Sequence, residues 1–133
     1  MQLSNLGVIP PKEFNFIDPF TEQPTDIFIT VHPIKSKHGK DAEHKMRLKI
    51  IELMQDENNF IEGEEKKLKT ELIANASLEM VASLVVNWRG LEDEKGKQIK
   101  FSNEACFTIF KEHQELADAV YKLAGAMGNF QKA

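Results

Sequence analysis

The sequence predicts an α+β fold that is mostly α-helical, with an N-terminal β-hairpin followed by about four helices, two long and two shorter. Two observations carry this prediction. Near the start, residues 13–17 and 26–31 alternate or are rich in β-branched and aromatic side chains, whereas beyond residue 36 apolar residues recur every three or four positions. A third observation sets the scale. A chain of 133 residues suits one domain, read here as a flexible segment 1–11 ahead of a domain 12–133, with the hairpin at 12–32 and the helical part at 36–130. A chain of that size buries roughly 68% of the surface its unfolded form exposes, so neither a disulfide nor a structural metal is required.

Within the hairpin, the loop 18–25 contains Pro19 and Pro24 and opens on an Asp-Pro step, which favours a turn and cannot continue a ladder. Phe14 and Phe16 share a face with one set of Ile27, Ile29 and Val31, whereas Phe28 points the other way. Both faces therefore carry large apolar groups. A lone two-stranded hairpin is marginal in water and its edges are open, so it is expected to lie on the helices, on another copy, or on both.

The first helix is expected over 40–54, where Met46, Ile50, Leu53 and Met54 form one stripe. The second is expected over 64–87, with Leu68, Leu72, Ala76, Met80 and Leu84 four apart and acids leading its first turn. Its later half, 78–86, is apolar nearly all round and should be the most buried part of the molecule. Gly90, following Trp88, reads as a glycine stop, and a charged turn at 92–97 precedes Ile99 and Phe101. Ser102 is a good N-cap for a short helix through about residue 111. A final helix spans about 114–127, striped by Leu116, Val120, Leu123, Ala124 and Met127.

Lys plus Arg number 17 against 21 Asp plus Glu, and the net charge of −4 disfavours a dedicated nucleic-acid binder. One basic patch exists, at 35–49, where Lys35, Lys37, Lys40, Lys45, Arg47 and Lys49 outnumber Asp41 and Glu43. It lacks aromatic residues for stacking and is followed by Asp56, Glu57, Glu62, Glu64 and Glu65. Charge pairing within or between subunits is its expected role, and a small nucleic-acid-binding regulator is the alternative. The most apolar stretch, 78–86, is broken by Glu79 and Ser83 and is far shorter than the ~20 residues of a membrane span. Residues 1–11 carry no basic cluster followed by an apolar run, so no signal peptide is expected, and the single thiol of Cys106 suits a reducing cytoplasm.

No catalytic chemistry is expected. His32, His38 and His44 show neither an HExxH helix nor an i, i+4 pair, and Cys106 sits between Ala105 and Phe107 without a base beside it. Phosphate-binding glycine loops, a GxSxG elbow and a complete calcium loop are missing too, so no cofactor or metal is expected. Ala105, Cys106, Phe107, Ile109 and Phe110 leave the short helix little polar circumference. Two-sided burial explains most of that, but part of this surface, like the hairpin's second face, would also suit a partner. The candidate partner or self-association surface is therefore Phe14, Phe16, Ile27, Phe28, Ile29, Phe107 and Phe110.

Two blocks add a more specific expectation. Phe14-Asn-Phe-Ile-Asp-Pro-Phe-Thr-Glu-Gln-Pro-Thr-Asp-Ile-Phe-Ile-Thr-Val31 resembles the opening of the tail assembly chaperones of long-tailed bacteriophages and prophages. There a strand, a Pro-x-Thr-Gly-x-Pro-like loop and a second strand precede a helix; Glu22 stands here where many relatives have glycine. Val85-Val-Asn-Trp-Arg-Gly-Leu-Glu-Asp-Glu-Lys-Gly-Lys-Gln-Ile-Lys-Phe-Ser-Asn-Glu104 is similar to the same family's block of hydrophobic-x-x-Trp-x-Gly, an acidic turn with glycine, then Phe-Ser and a short helix. The closing Asn129-Phe130 step is similar as well. The motif residues Trp88, Gly90, Phe101 and Ser102 each have a fold role: a buried ring, a chain release, a return to the core and a helix cap.

The resemblance implies a phage or prophage tail assembly chaperone in the cytoplasm of the bacterial host, absent from the mature virion. Such a protein binds the tape measure protein and keeps it soluble while tail tube protein polymerises around it. Relatives commonly self-associate, which implies a homo-oligomer. A longer frameshifted form, where one is made, recruits tube protein. Within phage assembly, a minor structural tail protein is the alternative.

Overall fold

The computed structural model describes residues 8–55 and 64–130. The expected flexible segment lies outside the described residues at positions 1–7. So do Asp56, Glu57 and Glu62, together with the side chains of Glu64, Glu65 and Leu68. The chain forms β1 (Lys12–Ile17), β2 (Pro24–Val31), α1 (Lys37–Gln55), α2 (Glu64–Ser83), β3 (Val85–Arg89), α3 (Asn103–Glu112) and α4 (Gln114–Gly125), and closes in a 3-10 turn at Met127–Phe130. It is an α+β fold.

The hairpin forms as expected, with Phe14 opposite Ile29 and Asn15 opposite Phe28. Its loop is built from local side-chain bonds. The Asp18 carboxylate accepts from the Phe20 amide at 2.8 Å, and Glu22 takes a left-handed φ of 58°. At a register shift in β1, the Asn15 side-chain amide donates to the Thr25 and Ile27 carbonyls at 2.7 and 3.1 Å.

The second helix departs from expectation. It stops at Ser83, and Val85–Arg89 leaves it as a strand that pairs antiparallel with β2, placing β2 at the centre of a three-stranded sheet. The hairpin thus finds its missing strand within its own chain. The β-branched pair Val85 and Val86 favours extended backbone, and the open edge of β2 offers that backbone hydrogen bonds that a continued helix would leave unmade. Gly90 is accordingly not a helix stop. It sits at φ +85° directly after β3, against the start of β2.

Phe14, Ile29 and Trp88 stand in one row across the sheet. Around that row gathers a core that includes Val31, Leu84, Val85, Leu91, Cys106, Phe110, Leu116, Val120 and Ala124. The Trp88 ring meets Phe101 edge-on at 5.0 Å, and its indole N–H donates to the Ile99 carbonyl at 2.8 Å. Ser102 caps α3 by accepting from the Ala105 amide at 3.0 Å. α4 ends at Gly125, two residues short of the expected end, and the 3-10 turn carries Phe130 edge-on to Phe14 at 5.5 Å.

The two long helices pack on each other in antiparallel fashion, His38 reaching Ser83 and Lys49 reaching Glu79. Ser36, buried and unanticipated by the reading of the sequence, starts α1 by accepting from the Gly39 amide while its hydroxyl donates to the Pro33 carbonyl. Among the described side chains of this pair, burial is concentrated near the sheet, at Gly39 and Ala42 in α1 and at Ala76 and Met80 to Ala82 in α2. Among the described residues, no helix is long and apolar enough to cross a membrane.

Candidate functional site

Among the described residues, no group of three or more His, Cys, Asp or Glu could hold a metal ion. Cys106 is fully buried, and that burial pushes its thiol up to about 12, far from a reactive thiolate. His32 and His38 do come together, with rings stacked at 4.1 Å and the His38 Nε2–H donating to the Ser83 carbonyl at 2.6 Å. They line a recess with Lys37 and Asp41.

Burial first, and then the nearby His38, hold the His32 imidazolium below its ordinary pKa of 6.5. A group so depressed contributes stability above 6.5 that is lost as pH falls through its folded value, because the unfolded chain binds the proton more readily. The expected result is a denaturation midpoint that declines on acidification from pH 7 to 5 less steeply in His32→Gln than in the parent protein. Parallel slopes in the two proteins would dismiss the histidine as the source.

The apolar residues picked out in the sequence separate into several groups. Ile29 and Phe110 are 3% and 1% exposed, so they belong to the interior and cannot meet a partner. Phe14 is covered by Phe130. Phe28 lies on the outer sheet face beneath Arg89, whose guanidinium stands 3.9 Å from the ring centroid and pairs bidentately with Glu13 at 2.9 and 3.1 Å. The Phe28 ring is thus roofed by a side chain of its own chain. Hydrogen bonding to Arg89 holds the Glu13 carboxyl below the usual carboxylate range. Phe107 is half-buried, with the Lys111 ammonium 5.4 Å from its ring centroid.

Phe16 and Ile27 remain accessible in part, and they line a groove of about 440 Å³. Leu91, Ile99, Ile109 and Leu116 complete its apolar floor. Its banks are acidic: Glu92, Asp93 and Glu94 come from the turn after β3, and Glu112 and Glu115 from the corner between α3 and α4. Among the described residues of this rim the one basic side chain is His113, 3.3 Å from Glu115. The turn bank is rigid, because the Asp93 carboxylate accepts from the Lys95 and Lys97 amides and Glu92 bridges to Gln98.

A second groove, of about 390 Å³, runs between α1, α2 and α4 past Met46, Leu78, Val81 and Tyr121. Among the described residues that line it, Asp118 alone is charged. α4 forms a wall of both grooves. A third apolar surface is the outward face of α1, where Leu48, Ile51 and Met54 are 54%, 50% and 53% exposed.

The reading of the sequence missed most of these residues. The two acidic banks lie about twenty positions apart in the chain, so only the turn of α3 into α4 brings them together. The α1 surface had a signal: Leu48 and Ile51 recur with Met54 at i, i+3 and i+6, and Met54, expected in the inward stripe with Met46, Ile50 and Leu53, turns outward at 53% exposure.

Among protein families, a model described as YdaY prophage protein matches residues 35–133. No curated protein and no solved structure matches the chain.

Proposed function

The chain belongs to the YdaY prophage protein family, and from that premise we propose that it acts as a prophage tail assembly chaperone, by binding and without catalysis. The observation that carries the reading is the pair of open apolar grooves flanking α4. Such grooves suit the apolar face of a client helix. The proposed client is the tape measure protein, held soluble in the host cytoplasm until tail tube protein displaces the chaperone, which does not enter the virion. Each contact is weak, and several copies along one client raise retention through effective concentration.

The neutral groove is the proposed client seat, because Tyr121, Leu78 and Met46 offer an aromatic and two flexible aliphatic contacts beside one charge. Co-expression with the tape measure protein of the same prophage tests this. The soluble fraction of the client should rise, the two proteins should co-purify, and Tyr121→Glu should weaken capture about tenfold. Unchanged client solubility with no recovered complex would end the proposal. Salt-sensitive capture of DNA or RNA through 35–49 would favour a nucleic-acid-binding regulator instead, and detection in purified virions a minor structural tail protein.

A further inference from the structure

The acidic groove and the outer face of α1 are complementary in two independent respects. The groove offers an apolar floor between banks that carry five carboxylates. On α1, residues 37, 40, 44, 47, 48, 51 and 54 are all exposed and share one broad helical face, 47 and 48 being adjacent and the others three or four apart, with Asp41 beside them. Lys37, Lys40, His44 and Arg47 occupy its first half, and Leu48, Ile51 and Met54 its second. One straight helix thus presents cations and exposed apolar groups together, the two properties the groove complements. The neutral groove offers no such match, since Asp118 is the single charge among the described residues lining it.

We propose that the acidic groove of one copy receives the outer face of α1 of a second copy, so that copies join through unlike surfaces. Leu48, Ile51 and Met54 cover the floor made by Phe16, Ile99 and Ile109, and Lys40 and Arg47 face Glu94 and Glu112. Arg47 already pairs with Glu43 at 3.1 Å within its own helix, an exposed contact easily exchanged for a carboxylate on the next copy. A contact between unlike patches can repeat from copy to copy or close reciprocally in a pair. It leaves the neutral groove open. The inference deepens the multivalent part of the proposed function but involves no client, so the two can fail separately.

The test uses charge swaps at exposed positions read by light scattering and sedimentation. The parent protein is expected to associate at low salt and to dissociate as salt rises. Lys40→Glu/Arg47→Glu places acids against acids, and Glu94→Lys/Glu112→Lys places bases against bases. Each double variant alone should associate at least roughly tenfold more weakly than the parent. An equimolar mixture should recover association, because both unlike contacts then become attractive again. Leu48→Asp/Ile51→Asp should abolish association without altering the circular dichroism spectrum. A parent protein that stays monomeric at about 200 µM and low salt, undiminished association in the variants, or a mixture that fails to recover would each overturn the contact. Capture of a basic apolar client helix that is lost in Glu94→Lys/Glu112→Lys while the parent stays monomeric would give the groove to a client instead.

Discussion

Phe110→Ala is expected to lower the free energy of unfolding by about 3–5 kcal/mol, measured by chemical denaturation at neutral pH. Phe110 is 1% exposed and shares its cluster with Leu84, Cys106 and Val120, all fully buried. Truncation there removes apolar surface from the interior and leaves a cavity that a close-packed core closes only in part. Against a total stability of about 5–15 kcal/mol that loss is a large fraction, and at the lower end it leaves the variant near the limit of folding. The outcome also decides a question raised by the sequence, where Phe110 counted among residues that a partner could cover. A partner contact predicts lost binding at unchanged stability; a core residue predicts the reverse. A midpoint within experimental error of the parent would contradict the packing described.

Gly90→Ala is expected to cost at least about 2 kcal/mol of stability. Two causes act together. A side chain at φ +85° occupies the left-handed region, and the added Cβ would lie 1.9 Å from the Asp26 carbonyl oxygen, a backbone atom that cannot rotate away. Relief requires β2 and β3 to separate at the end where Phe28 pairs with Arg89, which also disturbs the roof over the Phe28 ring. Gly125 supplies the control, since nothing lies within 4 Å of a Cβ built there. Thermal unfolding of the two variants beside the parent checks the prediction. Equal midpoints for all three would refute the close approach.

Much of the fold could be read from the residues because local and tertiary preferences agree. In the hairpin, Phe14 and Ile29 face each other and Phe28 turns away, as alternation requires. Ser102 caps α3 where a serine before an apolar run should. The third strand was missed because a short apolar run has no periodicity to separate a buried helix from a buried strand. Residues 78–86 fit both, and the chain resolves them by ending the helix at Ser83 and pairing Val85 with Val31. The β-branched Val85 and Val86 were the available signal, together with a hairpin edge in need of a partner.

The candidate site was less legible. Phe16 and Ile27 were identified, but the carboxylates of 92–94, 112 and 115 become neighbours only after the turn and two helices have folded back. Arg89 and Glu13 likewise lie 76 positions apart, and nothing in either local sequence indicates that they close over Phe28. Contacts of that span depend on topology, whereas propensity and periodicity report only on nearby residues.

The neighbouring strands β2 and β3 are separated in the chain by everything from His32 to Leu84. That interval is a detour: two helices depart from one strand and deliver the chain back to the slot beside it. Among the described side chains of the two helices, burial is concentrated near the sheet. Whole turns could therefore be gained or lost away from it in matched pairs, with the sheet and the α3–α4 corner left as they are. The reach of this molecule is thus adjustable separately from its foundation, and the length of that excursion is where the chain can vary while the sheet stays fixed.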